Sequence, residues 1–275
     1  MKKLFVFLIL LSAAQVFSQT LPEEVRKALA NWEPAHAVLV PLAADRYDLD
    51  AIVDAVGPRT KLVCLCMPNN PTGTTNTRDE LAAYFERVPD HVLTVIDQAY
   101  FEYVDDPDYP DGIAEHVKAG ARAIVLRTFS KIYGLAGVRA GYGVGPPEVV
   151  TAISKVRRAF DVTSPAQEAA LASIDDVAEI ARRRRLNSEG RAELERILRE
   201  AGLDLAGPAV GNFVYADVGE DARPYFERLL REGVIVRPLH GFGAPTAVRV
   251  TVGTPDEHVF LAEALARVGT GAAAR

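Results

Sequence analysis

The sequence predicts an α/β fold: a mostly parallel sheet, followed by a smaller α+β unit. Short continuous apolar runs, such as KLVCLCM at 61–67, alternate with segments of helical periodicity. A strand buried on both faces reads as such a run, and it needs a crossover helix to reach a parallel neighbour. After Pro147 the pattern becomes helical and then returns to short strands, which is the order expected of a second unit. The 275 residues are 49% hydrophobic and 25% charged, enough apolar material for a sizeable core in one or two domains.

Residues 1–19, MKKLFVFLILLSAAQVFSQ, have the order of a secretory leader: two lysines, an apolar run, then small and polar residues. The apolar stretch over 4–17 is shorter than the roughly 18 residues that span a bilayer, so this leader predicts export and not anchoring. It holds two of the seven lysines in the chain. The Arg- and Ala-rich body behind it points to a join between unlike pieces.

Within the body, 38–41 is a short apolar run and 49–56 (LDAIVDAV) carries apolar residues at helical intervals. Residues 61–67 predict a buried strand stopped by Pro68, and 68–73 a loop. Thr77 and Glu80 have the spacing of a capping box in front of a helix over 81–88. Strands are expected at 91–96, 123–126 and 140–144, the last two separated by a loop that carries Lys131, in a sheet covered on both faces. Helices are then expected over 148–157, 166–174 and 177–201. The second unit reads as strands at 212–216, 234–236 and 247–252 with helices over 222–232 and 256–268. The predicted organisation is a leader (1–19), a large domain (20–175), a small C-terminal domain (176–268) and a frayed tail (269–275).

A net charge of −6 argues against nucleic acid or an anionic membrane as the main partner. A small molecule is expected instead. Cys64 and Cys66 stand two apart on a strand and so share a face. A bridge between them is geometrically poor, and they read as small buried hydrophobes. The histidines at 36, 91, 116, 240 and 258 have no metal-ligand spacing, so no metal is expected. Arg182 to Arg185 looks like a nucleic-acid patch, but four consecutive residues spread around a helix, which predicts a solvated surface. Gly141, Gly143 and Gly145 echo a dinucleotide loop, yet Pro146 and Pro147 follow where the motif needs a glycine and a helix opening.

In an open parallel sheet, ligands sit beyond the carboxyl ends of the strands. The residues found there are Asn69 and Asn70, then Asp97 and Tyr100, then Thr128, Ser130 and Lys131. One lysine in a lysine-poor body, among hydroxyls and eight residues before Arg139, invites a chemical role. Desolvation or a cationic neighbour makes a lysine nucleophilic towards a carbonyl. An aldehyde cofactor bearing a phosphate would use all of these groups.

Four strings, MPNNPTGT (67–74), DQAYFEYV (97–104), TFSKIYGLAGVRAGY (128–142) and VRVTVGTPDE (248–257), together resemble fold-type I pyridoxal-phosphate aminotransferases. Among these the chain is most similar to the histidinol-phosphate aminotransferases and the closely related aromatic amino acid aminotransferases. The resemblance implies a fold-type I α/β body and a homodimer. It also implies that Lys131 holds pyridoxal 5'-phosphate covalently and moves the proton during catalysis. Asp97 would pair with the ring nitrogen, while Asn70 and Tyr100 would bond the ring's phenolic oxygen. Thr128, Ser130 and Arg139 would hold the phosphate, the arginine by a forked contact. Arg249 would take the substrate's polar end, with Arg237 near its distal group.

The implied reaction is amino transfer between an amino donor and a 2-oxo acid, histidinol phosphate with 2-oxoglutarate, with aromatic amino acids as the alternative donors. A non-catalytic exported fragment of the same fold is the reading from another class. The family usually has a small polar residue where Met67 stands and Glu where Gln98 stands. Its members also carry a further N-terminal part with a glycine-containing phosphate loop, a ring that stacks on the cofactor and an arm to the partner subunit. A signal-like leader stands in that place, so the resemblance implies an incomplete large domain. It implies a cytoplasmic enzyme, whereas residues 1–19 imply export.

Overall fold

The computed structural model describes residues 37–269. The predicted leader, the start of the 20–175 unit and residues 270–275 lie outside the described residues. A hairpin comes first, formed by β1 (Leu42–Ala43) and β2 (Arg46–Tyr47). Its turn residues Ala44 and Asp45 have φ of 47° and 62°, as the tightest hairpin turns require. Ala-Asp is not a usual sequence for such a turn, and the hairpin was not expected. In the apolar run before it Val38 and Leu39 are exposed, Leu39 at 90%, while Val40 packs against the first core.

Helix α1 (Leu49–Asp54) starts on Asp48, whose carboxylate accepts from the Ala51 amide. Helix α2 (Arg78–Arg87) has the capping box expected of Thr77 and Glu80, each side chain bonding the other's backbone. Between and beyond them run β3 (Leu62–Cys66), β4 (Leu93–Asp97), β5 (Ala123–Thr128) and β6 (Gly141–Val144), in the spatial order β3-β4-β5-β6. The first three are parallel and β6 is antiparallel to β5. Gly141 allows that pairing, since a Cβ there would lie 2.9 Å from the Arg127 carbonyl oxygen. Of the glycines that echo a dinucleotide loop, Gly141 and Gly145 therefore serve close backbone approach, and Gly143 leaves room for the Leu126 and Ile124 side chains.

One face of this sheet is a core: Val63, Leu65, Ile96 and Val125 pack with Ile52 of α1 and with Leu81 and Tyr84 of α2. The other face corrects the expected two-sided cover. Cys64, Val95 and Ile124 lie side by side on it, and the latter two are buried, but Cys64 is exposed. No described element covers β3 there, so Cys64 is not the buried hydrophobe expected, and Cys66 is only half-buried. A single turn of π-helix, Gly112–Val117, also escaped the sequence reading.

Helices α3 (Pro147–Ser154), α4 (Ser164–Ile174) and α5 (Val177–Glu200) follow. The second sheet has the order β7-β8-β10-β9, from β7 (Asp204–Leu205), β8 (Phe213–Asp217), β9 (Arg237–Pro238) and β10 (Ala247–Thr251), all antiparallel. Helices α6 (Ala222–Arg231) and α7 (Pro255–Val268) pack with α5 on it. Leu194, Leu198, Val214, Val248 and Leu229 form the shared core. The strand expected at 234–236 lies instead at Arg237–Pro238. Val236 is drawn into the core while Ile235 is 79% exposed, and Pro238, without an amide proton, suits the sheet edge it occupies. Among the described residues no helix is long and apolar enough to cross a membrane, and no group of side chains is arranged to hold a metal ion.

Candidate active site

The parallel strands end in loops that meet below the second sheet. Asn70 follows β3, Asp97 closes β4, and Thr128 closes β5. Across from them Arg249, in the middle of β10, reaches over: its Nη1 donates to Asn70 Oδ1, although the two residues are 179 apart in sequence. Asn70 Nδ2 in turn donates to the Tyr100 hydroxyl at 3.4 Å. Tyr100 is 4% exposed and meets Phe213 of β8 edge-on at 5.1 Å. Phe213 also lies under the Arg249 guanidinium, 5.0 Å from its ring centre. Arg249 Nε is buried and has no hydrogen-bond partner.

Lys131 Nζ lies 5.1 Å from the centre of the Tyr100 ring. Residue Lys131 also borders a cavity of about 380 Å³ lined by Tyr103, Ile132, Asn187, Asn212 and Thr254, which Asn70, Asp97, Tyr100 and Arg249 do not line. The loop that carries it is shaped from both sides: Thr128 Oγ1 donates to the Ala140 carbonyl at 3.4 Å and accepts from the Ser130 amide at 3.0 Å. Asp97 Oδ1 accepts from the Ala99 amide at 3.0 Å. Burial raises the pKa of Asp97, while that amide and the positive charge of Lys131 pull it back. Burial also raises the Tyr100 hydroxyl, against the opposing charge of Arg249.

Asn70, Asp97, Tyr100, Lys131 and Arg249 are thus gathered, and Thr128 and Ser130 frame the Lys131 loop. Arg139 is not drawn in. It is exposed at φ 55° and donates to the Ala136 carbonyl of its own turn at 2.9 Å. Arg237 is exposed on edge strand β9, directly opposite Arg249 in the antiparallel register, so the two arginines project from one face of that sheet.

Three features escaped the sequence reading. Cys66 stands beside Asp97 in register; burial, then the Asp97 charge, push its thiol up to about 12. Phe213 sits in an ordinary apolar strand, and nothing in that pattern marks it as the floor under Tyr100 and Arg249. The third is a buried polar chain beneath the strand ends. The Tyr109 hydroxyl donates to the Met67 carbonyl, and Gln98 Nε2 donates to Tyr109 at 3.1 Å. Arg127 Nη2 bonds Gln98 Oε1 at 3.0 Å and Asp111 Oδ1 at 2.7 Å, with the Phe101 ring 3.4 Å away. Gln98 is neutral, and Asp111 supplies the carboxylate for Arg127.

These groups fit pyridoxal phosphate. A buried carboxylate with one backbone partner suits a protonated ring nitrogen, an amide and a phenol suit an aromatic oxygen, and a lysine stands beside them. The partnerless Arg249 Nε suits an anionic substrate group.

The sequence profile of the aminotransferase class I and II family matches residues 27–265. Histidinol-phosphate aminotransferase 2 of Pseudomonas fluorescens Pf-5 is 45% identical over 85% of this chain and 63% of its own length. The histidinol-phosphate aminotransferase of Moorella thermoacetica is 44% identical over 84% of this chain and 60% of its own. The chain therefore spans about three fifths of the length of these relatives. Among solved structures, histidinol-phosphate aminotransferase from Sinorhizobium meliloti in complex with pyridoxal-5'-phosphate superposes with a TM-score of 0.75 at 31% identity, covering 84% of this chain and 63% of that one. A mutant aspartate aminotransferase of Thermus thermophilus gives 0.71 at 27%, covering 81% and 64%. By sequence and by fold, the chain belongs to the aminotransferase class I and II family.

Proposed function

We propose that this chain binds pyridoxal 5'-phosphate at the ends of β3, β4 and β5 and serves the transfer of an amino group, from histidinol phosphate to 2-oxoglutarate. The observation that carries the proposal is the single chain of contacts from Arg249 through Asn70 to Tyr100, with Lys131 over the Tyr100 ring. When bound, the cofactor supplies an electron sink for the substrate carbon that bears the amino group.

In this reading Lys131 Nζ would hold the cofactor and would take up and return the proton of the substrate carbon. Asp97 holds a proton on the ring nitrogen. Its own burial disfavours an isolated charge, so a cationic partner there relieves that cost. Asn70 and Tyr100 orient the phenolic oxygen. Thr128 and Ser130 hold the phosphate, and Arg139 joins them by a change of rotamer from its present turn. Arg249 anchors the substrate's anionic end with its spare Nε, and Arg237 on the same sheet face takes the distal group. The apolar Phe213 excludes water from beneath Tyr100.

The same reading divides the body into a cofactor-binding unit over 20–175 and a smaller unit over 176–268, supported by separate hydrophobic cores. The family resemblance adds a homodimer and a cytoplasmic location, against the export that residues 1–19 imply. The test is spectroscopic and kinetic. Adding pyridoxal phosphate should give a visible band distinct from the free compound, and histidinol phosphate should then be a better donor than phenylalanine or tyrosine. Preference for the aromatic amino acids would reassign the donor, and no change in the spectrum would refute the cofactor assignment.

A further inference from the structure

Four arginines in a row, Arg182 to Arg185, lie on α5, and the expectation of a solvated surface holds for only two of them. Arg182 and Arg185 are exposed and pair with Glu179 and Glu189 along the helix. Arg183 and Arg184 are half-buried and turn inward. Arg183 Nη1 donates to the carbonyl of Ile132 at 2.8 Å, the residue after Lys131. Arg184 Nε donates to the carbonyl of Glu102 at 2.7 Å, two residues past Tyr100. Glu179 Oε1 accepts from Arg183 Nε at 2.7 Å and fixes that guanidinium from behind.

Gly134 lies at the same contact: its φ of 73° favours glycine, and a Cβ there would lie 2.8 Å from Arg183 Nη1. Between the two arginine contacts, Ile132 and Tyr103 are buried at 2% and 8% exposure, in one cluster with Tyr100 and Phe213.

We propose that Arg183 and Arg184 are positioning residues that tie α5 to the loops bearing Lys131 and Tyr100 and so set the placement of both site groups together. The inference rests on the reading of Lys131 as the cofactor lysine. The planar guanidinium of Arg183 serves a carboxylate and a carbonyl at once, which the point charge of lysine does poorly. Each contact to a carbonyl is charge-assisted and stronger than a neutral hydrogen bond. A movement of α5 therefore displaces both loops and not one.

Hydrogen exchange on the whole chain tests this, read at amides whose bonds lie within the loops: Gly134 and Leu135 on one, Tyr103 and Val104 on the other. Arg183→Gln should speed exchange over 129–135, and Arg184→Gln over 100–104, each about tenfold, the scale of one lost charge-assisted bond. Amides of β8 and β10 should not change. After treatment with pyridoxal phosphate and borohydride, both variants should carry less label on Lys131, and Arg183→Lys should recover only part of it. Unchanged loop exchange would overturn the proposal. So would an equal rise in β8 and β10, which would mean general loss of stability. If the unsubstituted chain takes no label at Lys131, the cofactor reading fails, while the exchange rates still decide whether the arginines hold the two loops.

Discussion

The two four-stranded sheets bring different things to the place where they meet. The first keeps apolar side chains on its helix-covered face and collects polar ones at its strand ends: Asn70, Asp97, Thr128, and the buried chain Tyr109, Gln98, Arg127 and Asp111. The second is an antiparallel sheet closed by three helices over a core of aliphatic side chains, and it sends two side chains, Arg249 and Phe213, across to Tyr100 and Asn70. Chemistry is concentrated where parallel strands stop, because their loops converge there and leave polar groups to be used. Stability in the second unit comes from burial, and its part in the site is to close it.

That contrast can be broken by substitutions that separate activity from folding. The largest effect should come from Lys131→Ala, which removes the proposed attachment point and should lower the proposed amino transfer by about a thousandfold or more. Its thermal midpoint should stay close to that of the parent. Loss of folding instead would mean that Lys131 is part of the structure.

Leu198→Ala in α5 should do the reverse. Leu198 is 1% exposed within the second core, and truncation of such a side chain costs about 2 to 5 kcal/mol. Urea unfolding should show this, with cofactor attachment retained in the folded fraction. Arg127→Met tests where the contrast fails, because this arginine is a polar residue of the first sheet that acts as a core member. Its removal leaves Gln98 Oε1 without its donor and Asp111 without its ion pair, while Asp111 Oδ1 keeps the amides of Ile113 and Ala114, at a cost of about 1 to 3 kcal/mol. A smaller loss in the same unfolding experiment would mean that water replaces the guanidinium.

A milder change is expected from Arg249→Lys. A point charge cannot serve Asn70 and an anionic substrate group together as a fork does, so KM should rise about tenfold, equivalent to about 1.4 kcal/mol, with the cofactor band unchanged. An unchanged KM would move the substrate anchor elsewhere.

The smallest effect concerns pH. Burial raises Asp97 above its usual 3.8, so the folded chain holds that proton more tightly than the unfolded chain does. As pH rises from below the ordinary carboxylate range through the raised value, the unfolded chain loses its proton first, and the contribution of Asp97 to stability falls. The cost is absent in acid and grows as pH rises through that range. Without cofactor, Asp97→Asn should therefore raise the urea midpoint slightly at pH 7 and leave it unchanged at the acid end. A lower midpoint at pH 7 would mean that the carboxylate stabilises the fold.

Much of this architecture was legible because it is local. Thr77 and Glu80 announce their helix because both capping contacts lie within one turn, and KLVCLCM announces β3 because a short continuous apolar run stopped by Pro68 reads as a buried strand, although only alternate residues of it are buried. What failed depends on partners distant in the sequence. Cys64 looks like any strand residue, and its exposure follows from which described elements cover that face. Arg183 and Arg184 look like Arg182 and Arg185, and only the approach of the loops after Lys131 and Tyr100 separates the pairs. The strand at Arg237–Pro238 was displaced from its more apolar neighbours because its register with β10 decides it. The candidate site residues rest on motif order and strand-end position, which do not reveal rotamers, and so the turned-away side chain of Arg139 is not foreseen.

The central claim is that the lysine above the Tyr100 ring carries the cofactor where the two sheets meet. Its direct measurement is the location of the borohydride-fixed pyridoxyl group by peptide mass analysis. The account predicts the label on the peptide containing Lys131, and its loss when the cofactor is displaced by an amino donor before reduction. A label spread over the other lysines, or fixed on one of them, would contradict it.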